Sequence, residues 1–114
     1  VLVSHNIMTA VDDTLPASLS PAVHDLLRTE LNFDGVVMTD DLAMDAVAAY
    51  SADGAVAVMA LQAGADLLLM PADFKEAYNG VLDAVKTGEL TEERIDQSLT
   101  RILGLKLTLP RHKR

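Results

Sequence analysis

The chain has 114 residues, of which 50% are hydrophobic, with a formal net charge of −8 at pH 7 and no cysteine. This length and composition indicate one domain, or part of one, that can bury a hydrophobic core. The negative charge argues against nucleic acid as a partner, because phosphates would be repelled. The absence of cysteine excludes disulfides and thiolate metal sites, and no apolar run is long enough to span a membrane.

The two ends of the sequence differ in character, since the first residues are apolar and the last are basic. The chain begins without methionine, and Val1 already stands inside an apolar run, which suggests a fragment whose N-terminus lies upstream. Residues 110–114 form a short basic tail behind a predicted domain of residues 1–109. The sequence does not indicate a cellular compartment.

Three predicted strands alternate with helices: Val1–His5, Gly35–Asp40 and Asp66–Pro71. This alternation predicts parallel strands joined by right-handed crossovers. The predicted fold class is therefore α/β, with three βα units where a complete (β/α)₈ barrel of about 250 residues has eight. A sheet of three parallel strands has two open edges, so we expect missing strands or another copy of the chain to cover them.

The first two helices are predicted from caps and apolar residues. The first begins with Ser20 as N-cap and Pro21 as the first helical residue, because both residue types favour these positions. Its apolar stripe consists of Val23, Leu26, Leu27 and Leu31. A short helical stretch over 42–49 precedes the alanine-rich second helix, 53–63, whose low polarity predicts packing on more than one side.

Two further helices follow the third strand. One begins behind Asp73 as N-cap and ends at Gly88. Its apolar stripe consists of Phe74, Ala77, Tyr78, Val81, Leu82 and Val85. The last helix begins behind Thr91 and ends before Pro110. Its apolar face consists of Ile95, Leu99, Ile102 and Leu103. Residues 9–19 show no periodicity and are predicted to form a loop.

Asp40 is the first candidate for a catalytic residue, because it stands where the middle strand ends. The carboxyl ends of parallel strands are where α/β proteins collect ligands and catalytic groups. Asp40 is therefore either a nucleophile or electrostatic stabiliser at this edge, or the N-cap of the short helix that follows, since aspartate is a preferred cap. Position alone does not decide between the two.

Five further residues are candidates near the same edge. His5 ends the first strand and either contacts a sugar or a phosphate or is an ordinary buried histidine. Asp41 is predicted to cap the next helix or to support its neighbour, and Met44 either packs in the core or forms the floor of a ligand site. Asp12 and Asp13 lie in the first loop, where aspartate usually serves a turn. The sequence contains no phosphate loop and no zinc motif, so no metal and no cofactor are predicted.

Three stretches, in this order, resemble family 3 glycoside hydrolases, and most closely the single-domain bacterial β-N-acetylglucosaminidases (β-N-acetylhexosaminidases). Residues 16–20 read PASLS, residues 27–44 read LRTELNFDGVVMTDDLAM, and residues 63–69 read AGADLLL. Members of the family share the series PAS-x-S, LR-x-E-L-G-F-x-G, S/T-D-D-L-x-M and AGAD-x-x-L. The order and spacing of these motifs make the resemblance specific.

The resemblance implies a role for each candidate. Asp40 corresponds to the family's catalytic nucleophile, the first Asp of the DDL run. His5 and Met44 correspond to residues at the sugar pocket, and either Asp12 or Asp13 corresponds to a loop aspartate that precedes PAS. The implied reaction is the retaining hydrolysis of terminal β-linked N-acetylhexosamine, or of a related β-glucoside, through a covalent glycosyl-enzyme.

The chain also departs from the family pattern. Asn32 replaces the glycine before Phe33, at a helix end where asparagine can also adopt a positive φ. The general acid/base of these enzymes is a histidine on an upstream K-H-F-P-G-H-G loop, which does not occur here, and the groups that grip the sugar are also upstream. The chain therefore resembles the last three βα units and the final helix of a (β/α)₈ barrel, and it is expected to be inactive alone.

Two other hypotheses stay open. A non-catalytic half-barrel could self-associate into a homo-oligomer that closes its sheet. A receiver-like module could bind Mg²⁺ through Asp40 and Asp41 and accept phosphate. That module would need another aspartate at a strand end and a late lysine, whereas Lys75 and Lys86 fall on a predicted helix.

Overall fold

A computed structural model describes residues 1–50 and 53–110 and shows an α/β fold around a small parallel sheet. Strand β1 (Leu2–Val3) pairs in parallel with β2 (Met38–Thr39), and Leu67 adds an isolated parallel bridge to Met38. The predicted order and direction of the three segments are therefore confirmed. The predicted strand lengths are wrong, because regular pairing spans only two residues in β1 and in β2. The predicted basic tail, at 111–114, lies outside the described residues.

The third segment, residues 66–69, lies beside β2 without forming a regular strand. The N–H groups of Asp66 and Leu67 both donate to the carbonyl of Val37, at 2.8 and 3.1 Å, which breaks the one-to-one pairing of a ladder. Thr39 N–H then donates to Leu67 O at 3.0 Å. At Met70 the backbone turns away with φ 47°, a left-handed conformation that ends extended structure. The predicted strand Asp66–Pro71 is thus reduced to a bridge.

The first helix begins as predicted and ends in an unexpected form. Helix α1 (Pro21–Asp25) has Ser20 as N-cap, whose hydroxyl accepts a hydrogen bond from the Val23 N–H at 3.3 Å. It continues into a π-helical turn over Leu26–Glu30, where a single α-helix was predicted. The turn ends at Asn32 with φ 51°, which confirms that asparagine takes the conformation favouring glycine there.

The remaining helices follow the predicted order. A short 3₁₀ turn, Ala17–Leu19, lies within the predicted loop and is fully buried. The later helices are α2 (Asp45–Ala48), α3 (Asp53–Ala63), α4 (Phe74–Thr87) and α5 (Glu92–Thr108). Thr91 and Asp73 are N-caps, and Gly88 is the C-cap of α4, as predicted. None of the described helices is long and apolar enough to cross a membrane.

Helix α3 packs on more than one side, which confirms the expectation from its low polarity. Val56 and Ala60 lie in a core cluster with Leu19, Leu42 and Val47. On another face of the same helix, Val58 and Leu61 pack against Ala84 and Leu90. The helix therefore connects the sheet side of the molecule to α4 and to the start of α5.

The predicted apolar stripes of α1, α4 and α5 are only partly buried. The exposed fraction is 72% for Phe74, 61% for Tyr78 and 57% for Leu103, and Leu31 behind α1 is also exposed. The reason lies in which residues face the body of the protein. Helix α4 packs on α3 through Gly80, Ala84 and the half-buried valines Val81 and Val85. Helix α5 packs through Ile95 and through polar residues, described below.

The close packing of α3 and α4 predicts an effect of adding a methyl group. A Cβ built on Gly80 would lie 2.6 Å from the Cα of Gly54 and 2.8 Å from its carbonyl oxygen, and these are backbone atoms that cannot rotate away. We expect Gly80→Ala to lower the free energy of unfolding by about 1–3 kcal/mol, the usual cost of overpacking, despite the better helix propensity of alanine.

Gly104 provides the matched control for this substitution. It lies within α5, and apart from the backbone of its own helix no described atom lies within 4 Å of a Cβ built there. Gly104→Ala should raise the free energy of unfolding by about 0.5–1 kcal/mol through helix propensity alone. Urea denaturation of both variants measures the difference; equal stabilisation by the two would contradict the packing described for Gly80.

Candidate active site

The carboxyl ends of β1, β2 and the third segment meet at one edge of the sheet, and Asp40 lies there directly after β2. Its backbone N–H donates to Val3 O at 2.9 Å, which fixes the main chain of Asp40 to the first strand. Its side-chain Oδ1 accepts the N–H of Asp41 at 2.8 Å. Among the described residues, its other oxygen, Oδ2, has no hydrogen-bond partner. The half-buried Asp40 thus presents one free carboxylate oxygen at this edge.

Asp40 does not cap the helix that follows it. Helix α2 has Met44 as its N-cap, and no side chain makes the capping hydrogen bond. The Oδ1 of Asp41 accepts the N–H of Ala43 at 2.7 Å, so Asp41 serves the turn before the helix. Of the two alternatives weighed for Asp40, the capping role is therefore absent from the structure.

His5 lies at the same edge, and both of its ring nitrogens have protein partners. Nδ1 lies 2.6 Å from the Ser18 hydroxyl, and Nε2 lies 2.7 Å from the carbonyl oxygen of Asp41. The residue is buried, with 8% of its surface exposed. The structure therefore brings His5 next to the residue that follows Asp40, but leaves its ring without a free nitrogen.

Met44 lies near this edge with 43% of its surface exposed, and its N–H donates to Asp41 O at 3.3 Å. A ligand-floor role for Met44 stays a prediction. Asp13 is exposed in the first loop. Asp12, beside it, has a different position and is described next.

Asp12 closes the loop between β1 and α1. Its Oδ1 accepts hydrogen bonds from the N–H and hydroxyl of Thr14, at 3.0 and 2.8 Å, and from the N–H of Leu15 at 3.2 Å. Its Oδ2 accepts the hydroxyl of Ser20, the N-cap of α1, at 2.6 Å. These bonds, with that from Ser20 the strongest, lower the pKa of Asp12 from 3.8 to about 2. Asp12 therefore organises the loop that carries Ser18.

The lowered pKa of Asp12 predicts acid sensitivity of this loop. Since the folded pKa lies below the ordinary value, the stabilisation is complete above about pH 4 and is lost as the pH falls through about 2. We expect Asp12→Asn to flatten the dependence of the melting temperature on pH between these values. Thermal denaturation at a series of pH values measures this change. Asp13→Asn is the matched control, and an equal flattening there would show that a different group is responsible.

His24, which lies on α1, is a buried core histidine. Its Nδ1 donates to the Ser20 carbonyl at 2.9 Å, and its Nε2 has no hydrogen-bond partner among the described residues. Burial lowers the pKa of His24, which favours the neutral ring. Because a carbonyl can only accept, the proton lies on Nδ1 and the unpartnered Nε2 is an acceptor.

A second polar cluster lies at the opposite edge of the sheet, where the third segment begins. Asp66 accepts four hydrogen bonds: Oδ2 from Val37 N–H (2.9 Å) and Arg28 (2.8 Å), and Oδ1 from Ser98 (2.6 Å) and Arg101 (3.0 Å). Burial alone would raise the pKa of Asp66, but the hydrogen bonds and the arginine charge outweigh it and hold the pKa below its ordinary value. We call these five residues the Asp66 cluster.

Arg94 and Arg28 extend this cluster into the backbone. Arg94 donates to Ala65 O at 2.7 Å, to Leu61 O at 3.1 Å and to the Ser98 hydroxyl at 2.6 Å. The other guanidinium nitrogen of Arg28 donates to Gly35 O at 2.6 Å. The cluster thus joins the end of the first helix, the residues just before β2, the third segment and α5.

Sequence reasoning missed the Asp66 cluster, although a signal was present. Arg94, Ser98 and Arg101 stand four and three residues apart, which places them on one face of a helix. The apolar residues between them favoured a conventional hydrophobic stripe instead. The combination that indicates a buried ionic cluster is a polar face on a predicted helix together with an aspartate at the start of a predicted strand, here Asp66.

The fold and this edge define an α/β protein with a candidate catalytic carboxylate behind a parallel strand. Residues 1–105 match the model of the family described as glycosyl hydrolase family 3 N terminal domain. The chain therefore belongs to glycoside hydrolase family 3, as the resemblance in the sequence predicted.

Known relatives agree with this assignment. The chain is 31% identical over 102 residues to the β-N-acetylglucosaminidase/β-glucosidase of Cellulomonas fimi. This match covers 89% of the chain and 18% of the relative. It is 36% identical over 116 residues to the β-hexosaminidase LpqI of Mycobacterium tuberculosis, covering 93% of this chain and 29% of the relative. The chain thus spans less than a third of the length of either relative.

A solved structure gives the same result at the level of the fold. The family 3 β-N-acetylglucosaminidase of Paenibacillus sp. strain FPU-7 superposes with a TM-score of 0.82 and 46% sequence identity. The match covers 87% of this chain and 20% of the Paenibacillus chain.

Proposed function

We propose that the chain supplies the nucleophile of a retaining family 3 β-N-acetylhexosaminidase, as the last three βα units and final helix of a (β/α)₈ barrel. The observation that carries this proposal is the geometry of Asp40. One carboxylate oxygen is held by the Asp41 N–H, and the other has no partner among the described residues. The names of the relatives, which include β-N-acetylglucosaminidase and β-hexosaminidase, support N-acetylhexosamine as the sugar.

The chemistry that follows is a double displacement. The free oxygen of Asp40 attacks the anomeric carbon, the glycosidic bond breaks, and the leaving oxygen takes a proton from a general acid. Water then attacks the resulting ester at the anomeric carbon, gives its proton to the same group acting as base, and releases Asp40 as a carboxylate. The released sugar therefore has the same configuration at its anomeric carbon as the substrate had.

The general acid/base and most sugar-binding groups lie outside this chain in our proposal. The two sheet edges support this, since apolar residues are exposed at both. Val1 and Leu2 are 54% and 53% exposed beside β1, and Leu67 and Met70 are 39% and 61% exposed along the third segment. Exposed apolar sheet edges are usually covered. We assign this covering role to the remaining strands of the barrel.

A chimera tests the proposal with the missing part supplied. The segment of the Paenibacillus β-N-acetylglucosaminidase that matches this chain is replaced by the chain itself, and the hydrolysis of a nitrophenyl N-acetyl-β-glucosaminide is measured. We expect turnover by the chimera and none by the isolated chain. A fluorinated N-acetylglucosaminyl fluoride should trap the ester, and peptide mass spectrometry should locate it on Asp40.

The outcomes separate the parts of the proposal. Labelling of another residue would refute the role of Asp40. Turnover by the isolated chain that disappears in Asp40→Asn would keep the nucleophile but refute the need for the rest of the barrel. A discrete oligomer of the isolated chain in size-exclusion chromatography would favour the self-associating half-barrel.

The receiver-like hypothesis gains no support from the structure. The first segment ends at His5 and the third at Pro71, so neither adds an aspartate beside Asp40. Lys75 and Lys86 both lie on α4 and are exposed. These positions favour the glycosidase proposal over a phosphate-accepting module.

A further inference from the structure

His5 and Ser18 form a short hydrogen-bonded chain that ends on the main chain beside Asp40. Because the carbonyl of Asp41 can only accept, the Nε2 of His5 carries a proton and donates at 2.7 Å. In the neutral ring the Nδ1 is then an acceptor, and the Ser18 hydroxyl donates to it at 2.6 Å. Both ring nitrogens are therefore engaged, and neither can bind a sugar hydroxyl without giving up its present partner.

The group that His5 holds is the peptide unit between Asp41 and Leu42. Its carbonyl oxygen accepts from His5, and its N–H donates to Leu69 O at 2.9 Å. The same carbonyl receives a longer bond, 3.3 Å, from Met44 N–H. One peptide plane is thus fixed from the first segment on one side and from the third segment on the other.

This fixed peptide determines where the Asp40 carboxylate points. The N–H of Asp41 donates to Asp40 Oδ1 at 2.8 Å, so the side chain of Asp40 follows the backbone of Asp41. The N–H and the carbonyl of Asp41 flank the same Cα, so a shift of the Asp41 main chain after loss of the His5 bond would displace both groups. The Oδ1 contact would then be lost or lengthened, and Oδ2 would leave its position.

Ser18 can act only through His5. It is completely buried in the 3₁₀ turn Ala17–Leu19, with 0% of its surface exposed. Its own N–H donates to Ser4 O at 3.0 Å, which fixes the turn to the end of the first segment. The serine therefore cannot touch a substrate at the open edge.

We propose that His5, oriented by Ser18, is a positioning residue that sets the direction of the nucleophile Asp40, and is not a contact to the sugar. This inference rests on the proposed function and replaces the sugar-binding role that the family resemblance implied for His5. A positioning residue should affect the rate of the bound complex more than substrate binding, because a displaced nucleophile reacts slowly while the sugar is still bound.

Two substitutions of His5 test the positioning role in the chimera, because each keeps one half of the hydrogen bonding of the ring. His5→Gln places an amide N–H near the position of Nε2 and can still donate to the Asp41 carbonyl. His5→Asn places its amide near Nδ1 and removes the bond from the ring to that carbonyl, which keeps only the longer bond from Met44 N–H. We expect kcat to fall by about 10–100-fold in His5→Asn and by less than about 5-fold in His5→Gln, with KM changed less than about 3-fold in both.

Ser18→Ala separates positioning from sugar contact. If His5 acts by position, losing its buried partner should lower kcat several-fold and leave KM unchanged. If His5 binds sugar, KM should rise in both His5 variants, and Ser18→Ala should be silent. Either of those two results would overturn the inference.

Hydrogen exchange on the 114-residue chain tests the positioning without any turnover. Faster exchange of the Asp41 and Leu42 amides in His5→Asn, but not in His5→Gln, supports the inference. Equal exchange in the two variants overturns it. An inactive chimera in which this exchange difference is present would count against the proposed function alone, so the two failures are distinguishable.

Discussion

Asp40→Asn should lower the turnover of the chimera by roughly 10⁴-fold or more, the scale on which covalent nucleophiles contribute to hydrolysis. Asparagine has nearly the same shape, and its carbonyl oxygen can still accept the Asp41 N–H. The neutral amide, however, is too weak a nucleophile to attack an anomeric carbon, and it is a poor leaving group in the second step. The free energy of unfolding should therefore change little while turnover disappears.

Azide provides a check on the role of Asp40. In Asp40→Ala the space beside the anomeric carbon is open, and azide can enter and attack from the face that the carboxylate used. Recovery of activity with formation of the α-glycosyl azide would identify Asp40 as the nucleophile. Asp41→Asn is the matched control, because it changes the neighbouring carboxylate that only serves a turn, and it should keep most of the turnover. A larger loss at Asp41 than at Asp40 would reverse the assignment.

Asp66→Asn should lower the free energy of unfolding by about 3–5 kcal/mol, because it breaks a buried ionic cluster from one side only. The side chain of Asp66 is 0% exposed and faces two arginines. Both oxygens of Asp66 accept from N–H or O–H groups, so an amide NH₂ in place of either oxygen would face hydrogen-bond donors and could not pair with them. The guanidinium groups of Arg28 and Arg101 would also lose the negative charge that they face. Urea denaturation followed by circular dichroism measures the loss.

Asp83 supplies the control for this change. It is exposed on α4, so Asp83→Asn removes the same charge outside the cluster and should alter stability by less than about 0.5 kcal/mol. A loss below about 1 kcal/mol in Asp66→Asn would contradict the structural importance of the cluster. The lowered pKa of Asp66 also gives the pH dependence of stability. The stabilisation by ionised Asp66 is complete above the ordinary aspartate pKa and is lost as the pH falls through the lower pKa of the folded state.

The positions of the elements were predictable from local signals in the sequence. Ser20, Asp73 and Thr91 begin helices because their side chains bond the free N–H groups of the first turn, and the structure shows all three bonds. Asn32 ends the π-helical turn because asparagine tolerates a positive φ. The edge that carries Asp40 followed from the parallel order of the strands.

The contacts at that edge could not be predicted in the same way. The bonds from His5 to Ser18 and to Asp41 join residues 13 and 36 positions apart, and no local pattern encodes such pairs. The apolar face predicted for α5 is confirmed only in part: Ile95 packs against the core, whereas Leu99 and Leu103 are exposed. Burial of a leucine stripe requires a surface to pack against, and the described chain offers none for Leu103.

The Asp66 cluster has a consequence for how this chain loses its structure. Four segments far apart in sequence meet on one carboxylate, so none of them can detach while the other three remain satisfied. Melting of α5 would leave the Asp66 carboxylate without Ser98 and Arg101, and we expect this cost to destabilise the segment around β2 that leads to Asp40 as well. We therefore expect the described part of the chain to unfold as one cooperative unit.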